Sequence, residues 1–280
     1  MRTRTFLLFT FILLTISINT FSQNLTRFVN PFIGTTNYGT TNPGAVYPHG
    51  MVTVCPFNVT GSKENKFDKD AQWFSTPYEY TNTVFTVLSH ISLSGVGCPE
   101  LGSLLLMPTT GKPDADIKNY GSKISRLKAE PGLFSCNIDR YNIQSQSSAT
   151  LRTGISEFTF PAGESNILLN LGEGLTNESG AFARIVSDTE VEGMKLLGTF
   201  CYNPQAVFPV YFVMKVSKSP KRVVYWKKQR PMTAEAAWDN TAGTYKFYEK
   251  YNREIAGDDI GVIYNYETKA DEKITVKIGI

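Results

Sequence analysis

Residues 32–56 read FIGTTNYGTTNPGAVYPHGMVTVCP, and the interpretation of the whole chain starts from this stretch. It contains four glycines and three prolines in 25 residues. Because glycine and proline both destabilise a helix interior, we expect a loop that leads into a short apolar strand, Met51–Val54. Small residues let a ligand approach the backbone, and Asn, Thr and Tyr supply directed hydrogen bonds, which suits a sugar-contacting surface. A rigid structural loop without a ligand is the alternative.

A second glycine-rich loop follows the predicted strand Thr83–Leu88. Residues 89–102 read SHISLSGVGCPELG, and another predicted strand, Ser103–Met107, comes directly after them. His90 is one of two histidines in the chain, and a lone histidine is more often structural than catalytic. Glu100 offers a charged hydrogen-bonding group at the base of this loop, with a helix or turn cap as the alternative.

Between the two loops lies an aromatic segment. Residues 72–80 read QWFSTPYEY and place four aromatic side chains around a proline. Such side chains either stack on the C–H face of a sugar ring or pack in a core next to a strand. Trp73 is the best single candidate for stacking on a sugar.

The remainder of the chain alternates between apolar and polar residues, which is typical of strands. Many strands at even spacing predict an all-β fold, a large antiparallel β-sandwich. A short helix is predicted at Thr233–Trp238, and a solvated turn at Asp258 and Asp259. An alternating strand runs to Ile280, so the chain is expected to be the front part of something longer. The further predicted strands are Gly132–Ile138, Ile143–Leu151, Gly154–Pro161, Asn166–Leu171, Val191–Leu197, Val207–Val216, Lys221–Tyr225, Thr244–Phe247, Gly261–Tyr266 and Lys273–Ile278.

Composition restricts the class of protein. Residues 1–22 combine basic Arg2 and Arg4 with a short apolar run, which predicts a secretory signal peptide and an exported protein, with the periplasm as the expected compartment. No later segment is apolar and long enough to span a membrane.

The formal net charge of +3 comes without a basic stripe, so nucleic acid is a poor candidate partner. Four cysteines allow three disulfide pairings, and buried free thiols are an equal alternative.

The two glycine-rich loops resemble the N-terminal domain of glycoside hydrolase family 92, a family of calcium-dependent exo-α-mannosidases. The first of the two phrases (sequence motifs) of this family corresponds here to Val29–Thr35, Pro43–Ala45 and Pro48–Val52. The second phrase corresponds to residues 88–108, LSHISLSGVGCPELGSLLLMP, and a weaker match is Pro131–Phe134. The resemblance covers nearly all of residues 23–280, which would form one domain.

The resemblance implies a galactose-mutarotase-like β-sandwich followed by a helical domain that is missing here, with the active site between them. It also implies that the catalytic acid and base and most calcium ligands lie in that helical domain, so no catalytic or metal residue is assigned within this chain. A mannose-containing glycan, such as an N-glycan or mannan, is the implied partner. A stand-alone carbohydrate-binding β-sandwich or a degenerate remnant is the alternative. The predicted sugar contacts are Asn37, Tyr38, Gly39, Trp73, His90 and Glu100.

The sequence departs from the family pattern inside both loops. Thr36 and Asn37 stand where the family has two glycines. His49 replaces a frequent phenylalanine, Ser92 a frequent histidine, and Glu100 an aspartate. If the backbone must approach the sugar closely, the added side chains at 36 and 37 are expected to change the pocket.

Overall fold

The computed structural model describes residues 25–36, 39–59, 74–95, 97–99, 101–175, 180–198, 203, 205–232, 243–249 and 253–280. These residues form β-strands joined by turns and three short 3-10 turns, at Leu25–Phe28, Ile117–Asn119 and Asp139–Tyr141. The strands are β1 (Ala45–Val46), β2 (Thr53–Phe57), β3 (Val84–Phe85), β4 (Val87–Ser89), β5 (Ile91–Ser92), β6 (Leu101–Ser103), β7 (Leu105–Thr110), β8 (Ser122–Glu130), β9 (Leu133–Ile138), β10 (Ile143–Ala149), β11 (Thr153–Phe160), β12 (Gly163–Asn170), β13 (Ala181–Ser187), β14 (Glu190–Leu197), β15 (Phe208–Val216), β16 (Arg222–Gln229), β17 (Thr244–Tyr248), β18 (Glu254–Gly257), β19 (Ile260–Thr268) and β20 (Glu272–Gly279).

Two large antiparallel sheets make up the architecture. One has eight strands in the order β1-β2-β4-β7-β12-β19-β16-β17, and the other has ten in the order β18-β13-β14-β15-β20-β11-β10-β9-β8-β3. A small ribbon of β5 and β6 accompanies them. One core cluster contains side chains from both large sheets, such as Leu106 and Val262 of the first and Phe158 and Ile278 of the second. The predicted all-β antiparallel sandwich is therefore confirmed.

The two sheets bury their strands differently. In the ten-stranded sheet, strands such as β9 and β11 bury alternate residues, because only one face of the sheet meets the core. In the eight-stranded sheet, β2 is buried at every position, and β19 is buried at every position except Glu267. Strands covered on both faces are expected to be nearly continuous apolar runs.

Most of the predicted strands are present. The structure adds three longer strands that were not predicted, β8, β13 and β18, and the short strands β1, β5 and β6 in stretches predicted mainly as loops. The predicted signal peptide at residues 1–22 and the predicted helix Thr233–Trp238 lie outside the described residues. None of the helical segments that the structure describes has the length and apolar character needed to cross a membrane.

The cysteines were expected to form disulfides or to remain buried free thiols, and the described residues show both states. Cys55 and Cys136 are buried free thiols, and Cys98 is disulfide-bonded. Cys201 lies outside the described residues. Burial raises the pKa of the Cys136 thiol to about 12 and raises that of Cys55 as well.

Gly261 in β19 provides a test of the packing. A Cβ built there would lie 2.0 Å from Cζ2 of Trp226 and 2.5 Å from the Leu169 carbonyl oxygen. We predict that Gly261→Ala lowers the free energy of unfolding by about 1–3 kcal/mol, because the fully buried indole must move. Urea denaturation measures this change.

Gly279→Ala is the matched control in β20. Its added Cβ would meet nothing closer than 3.5 Å, so a change of at most about 0.5 kcal/mol is expected. Equal effects of the two substitutions would contradict the packing at Gly261.

Candidate functional site

The two glycine-rich loops come together in the structure. The backbone N–H of Gly95 donates to the Thr40 carbonyl oxygen at 2.5 Å, and Asn42 Nδ2 donates to the Leu93 carbonyl oxygen at 3.0 Å. Asn42 also accepts from the Gly44 N–H through Oδ1 at 3.1 Å, which fixes its amide. We call residues 39–44 together with 93–95 the loop junction. Of the second-loop residues at the junction, Ser94 and Gly95 are exposed and Leu93 is half-buried.

The first loop closes tightly upon itself. Gly39 donates its N–H to the Thr36 carbonyl oxygen at 2.9 Å, and Thr41 donates its N–H to Gly34 at 3.3 Å. A Cβ on Gly39 would lie only 1.8 Å from the Gly34 carbonyl oxygen, so the turn requires glycine at 39. The close approach in the structure is between two parts of the loop, and the predicted sugar contact of Gly39 stays a prediction.

Glu79 anchors the first loop and was missed by the sequence analysis. Its Oε1 accepts from Thr36 Oγ1 at 2.8 Å, from Thr81 Oγ1 at 2.9 Å and from the Thr81 N–H at 3.2 Å. The residue is 4% exposed, and its N–H donates to Asn58 Oδ1 at 2.8 Å. A buried carboxylate is costly unless it is hydrogen-bonded, and these donors satisfy it. A glutamate among aromatic residues near a proline gave no local signal of this role.

The aromatic segment is divided between the core and the surface. Phe74 and Tyr78 are buried, whereas Tyr80 is 54% exposed. The rings of Phe32 and Tyr80 lie 5.6 Å apart, edge to face, which joins this segment to the first loop. Three predicted sugar contacts of the first loop and this segment, namely Asn37, Tyr38 and Trp73, lie outside the described residues, as does Glu100 in the second loop.

His90 lies in the interior between β4 and β5 and is 1% exposed. Its Nδ1 is 2.8 Å from the Leu104 carbonyl oxygen, so this nitrogen carries the proton and donates. Burial lowers the pKa of the imidazole to about 4, although the hydrogen bond to Leu104 acts in the opposite direction. The structure gives His90 a structural role, and in this conformation the ring offers no surface to a sugar.

Asp259 was predicted as part of a solvated turn, and this prediction is wrong. Its side chain is buried, although its neighbour Asp258 is exposed. Asp259 Oδ2 lies 3.8 Å from Lys228 Nζ and accepts from the Tyr245 hydroxyl at 3.2 Å. Desolvation raises the pKa of the carboxyl, against the opposing effect of Lys228. The turn folds inward because this cation and this hydroxyl are there to receive the carboxylate.

A buried lysine lies in the same region. Lys195 is 1% exposed, and its Nζ donates to the Leu171 carbonyl oxygen at 2.7 Å. Leu171 in turn donates its N–H to Ile260, and Leu175 donates its N–H to Leu101 at the base of the second loop. Lys195 thus ties the chain after β12 to β14, and the two backbone bonds tie the same segment to β19 and β6.

A family model describes almost the whole domain. The glycosyl hydrolase family 92 N-terminal domain model matches residues 28–280. The chain belongs to this family. Its two glycine-rich phrases are therefore family 92 features, and the structure places them next to each other at the loop junction.

Known proteins similar to this family 92 domain are longer. A protein of Arthroderma benhamiae described as an uncharacterized secreted glycosidase is 30% identical over 196 residues, which is 64% of this chain and 24% of that protein. A family GH92 α-mannosidase of Bacteroides thetaiotaomicron, solved in complex with mannoimidazole, matches with a TM-score of 0.75 and 24% identity. That alignment covers 92% of this chain and 32% of the mannosidase chain.

A second solved structure agrees on the fold. The family GH92 inverting mannosidase of Bacteroides thetaiotaomicron matches with a TM-score of 0.66 and 20% identity, again over 92% of this chain and 32% of that chain. The family 92 domain described here thus spans about a third of the length of these solved structures and about a quarter of the curated relative.

The pKa of His90 predicts a pH dependence of stability. The folded-state pKa of about 4 lies below the ordinary value of 6.5, so the unfolded chain binds this proton first as the pH falls. The stabilisation is complete above pH 6.5 and is lost as the pH falls towards 4, which amounts to about 3 kcal/mol. Urea denaturation between pH 7.5 and 4 measures this loss.

His90→Gln is the comparison variant, because a glutamine amide also donates a hydrogen bond but does not titrate. We expect its free energy of unfolding to fall by about 3 kcal/mol less than that of the wild type over the same pH range. Parallel pH profiles of the two proteins would contradict the assignment to His90.

Proposed function

We propose that this chain is the N-terminal, sugar-contacting domain of an exported α-mannosidase-like glycoside hydrolase that acts on α-mannosides. The observation that carries the proposal is the loop junction, where two family 92 phrases far apart in the sequence are hydrogen-bonded to each other. The mannosidase relatives support the substrate class. A sugar would contact the backbone at the half-buried Gly39 and the exposed Gly95. The side chains of Asn37 and Tyr38 would add hydrogen bonds, and Trp73 would stack on the ring.

Catalysis in this proposal depends on a further helical domain. Inverting hydrolysis of a glycosidic bond needs a carboxylic acid and a carboxylate about 6.5–9.5 Å apart, with room for a water molecule. The two buried carboxyls near the loops, Glu79 and Asp259, are hydrogen-bonded within the fold. Their part in the proposal is to hold the loops and the β12–β19 region, so that the sugar-contacting surface is preorganised.

Calcium enters the proposal as a ligand of the complete enzyme. A divalent cation holds sugar hydroxyls and favours a distorted ring. Among the described residues, no three His, Cys, Asp or Glu side chains lie close enough to hold a metal ion. The calcium ligands are proposed to lie mostly in the helical domain.

Export of the protein rests on two features of the chain. The predicted signal peptide at residues 1–22 is the first. The second is the disulfide at Cys98, since disulfides persist in oxidising compartments outside the cytosol.

A groove beside Ile280 is the surface proposed to meet the helical domain. It is a cavity of about 590 Å³, lined by apolar groups of Phe182, Met194, Tyr211 and Ile280 among others. Phe182, Met194 and Tyr211 are register neighbours on the outer face of β13, β14 and β15, and Tyr211 is 68% exposed. Ile280 donates its N–H to the Arg152 carbonyl oxygen at 3.0 Å, which fixes the end of β20 at this groove. Exposed apolar surface of this kind marks an interaction site.

We predict that the purified chain binds mannose weakly and releases no mannose from an α-1,2-linked mannobiose, with or without calcium. Trp73→Ala should abolish the binding, because it removes the stacking surface. Phe247→Ala is the matched control, since Phe247 is an exposed aromatic residue on β17 and should not affect binding. Isothermal titration calorimetry and chromatography of released sugar are the measurements.

Two outcomes would change the proposal. Calcium-dependent release of mannose would place catalytic carboxylates in this chain. The absence of both turnover and mannose binding would favour a degenerate remnant.

The groove leads to a prediction about association. The isolated chain should self-associate as its concentration rises, because the outer face around Tyr211 exposes apolar side chains among the described residues. Tyr211→Arg should reduce the association, and Phe247→Arg, on a different sheet, should not. Sedimentation velocity over a range of concentrations measures this association. A wild-type protein that stays monomeric at every concentration contradicts the proposed docking surface.

A further inference from the structure

A polar pocket lies at one end of the sandwich, between the end of β7 and the turn from β9 to β10. Its volume is about 500 Å³, and Lys112, Lys118, Arg140, Asn119 and Thr110 are among the residues that line it. The lining contains three basic residues and one acidic residue, Asp114. The pocket therefore carries a positive charge, although the chain as a whole is nearly neutral for its size, at +3.

Arg140 is fixed at the pocket by the protein itself. Its Nη1 donates to the Asn119 carbonyl oxygen at 2.6 Å and to the Gly121 carbonyl oxygen at 3.2 Å. The guanidinium also lies over the Tyr141 ring, 5.2 Å from the centroid. A guanidinium has five N–H donors. Among the described residues the hydrogen bonds of the Arg140 guanidinium involve only Nη1, so its Nε and Nη2 donors can serve a ligand. Because the protein already holds the side chain, a ligand would lose little entropy in ordering it.

The two lysines add charge without a counter-ion from the described part of the chain. No carboxylate of the described residues lies within 4.0 Å of the amino group of Lys112 or of Lys118. The neighbouring carboxylates are engaged with backbone: Asp114 Oδ1 accepts from the Asp116 N–H at 2.9 Å, and Asp116 Oδ1 accepts from the Lys118 N–H at 3.0 Å. These two bonds shape the turn that presents the lysines.

We propose that this pocket binds a compact oxyanion, a phosphate or a sulfate, either free or esterified to a sugar. A planar guanidinium matches the oxygens of such a group with two parallel hydrogen bonds, and the lysines add point charges. The volume is in the range of small-molecule pockets and exceeds the size of a bare phosphate, which leaves room for an attached sugar ring. The proposal does not depend on the proposed glycosidase function, since no residue of the loop junction takes part.

The test is calorimetric titration of the full chain with sodium phosphate, sodium sulfate, glucose 6-phosphate and glucose at low ionic strength. Saturable binding of at least one of the three anionic ligands is expected, together with none of glucose. Glucose 6-phosphate binding more tightly than phosphate identifies an esterified anion, and equal affinities identify a free one. Added sodium chloride should weaken the binding, because screening reduces the attraction.

Lys112→Gln and Lys118→Gln are the test variants, and Lys277→Gln, an exposed lysine on β20, is the matched control. Each test substitution should raise the dissociation constant for phosphate by about three- to tenfold, because it removes one charge-assisted hydrogen bond. The control should leave it unchanged, and equal melting temperatures show that all variants fold. If Lys118→Gln does not fold, Lys112→Gln alone carries the comparison.

Three results overturn the proposal. They are the absence of saturable binding of all three anionic ligands, binding that neither lysine substitution weakens, and an equal loss of affinity in Lys277→Gln, which would indicate a response to net charge alone.

Discussion

His90, a buried residue between β4 and β5, connects three parts of the structure. Its carbonyl oxygen accepts from the Thr53 N–H next to the first loop, and its own N–H donates to Ser103 next to the second. Its ring reaches the Leu104 carbonyl and lies against Gly154 of the other large sheet, where a Cβ would come within 2.9 Å of the imidazole. His90 thus joins Thr53, Ser103 and Leu104 by hydrogen bonds and packs against β11 of the ten-stranded sheet.

The alternation of apolar and polar residues along the sequence was enough to predict most strands, because inward-facing and outward-facing positions of a strand differ in polarity. It failed for β8, whose sequence SKISRLKAE is mostly charged or polar and mostly exposed. It also failed for Asp259, because burial of a carboxylate depends on a lysine 31 residues earlier in the chain and a tyrosine 14 residues earlier. Partners that are distant in sequence leave no local pattern, so the sequence predicts an exposed turn.

The candidate site also depends on contacts between residues that are distant in the sequence. Each glycine-rich loop could be recognised alone, but the bond from Gly95 to Thr40 joins residues that are far apart in the chain. In the described part of the aromatic segment, one carboxylate oxygen of Glu79 accepts three hydrogen bonds, a role that the sequence did not indicate. Glu79 and Asp259 also show two ways in which a buried carboxylate is stabilised. Hydroxyl and N–H donors stabilise Glu79, and a cation and a phenol stabilise Asp259. Both place charge inside the domain in order to hold a loop or a turn.

The free thiols have a consequence for the order of folding events. Cys55 lies in the eight-stranded sheet and Cys136 in the ten-stranded sheet, and burial keeps both protonated. Thiol–disulfide exchange requires a thiolate, so burial protects these two cysteines from the disulfide at Cys98. That protection begins only when the two sheets close over them. In an oxidising compartment, closure of the sandwich therefore competes kinetically with disulfide exchange among the four cysteines. If the sheets close first, the protein keeps Cys55 and Cys136 as free thiols; if exchange comes first, non-native disulfides form.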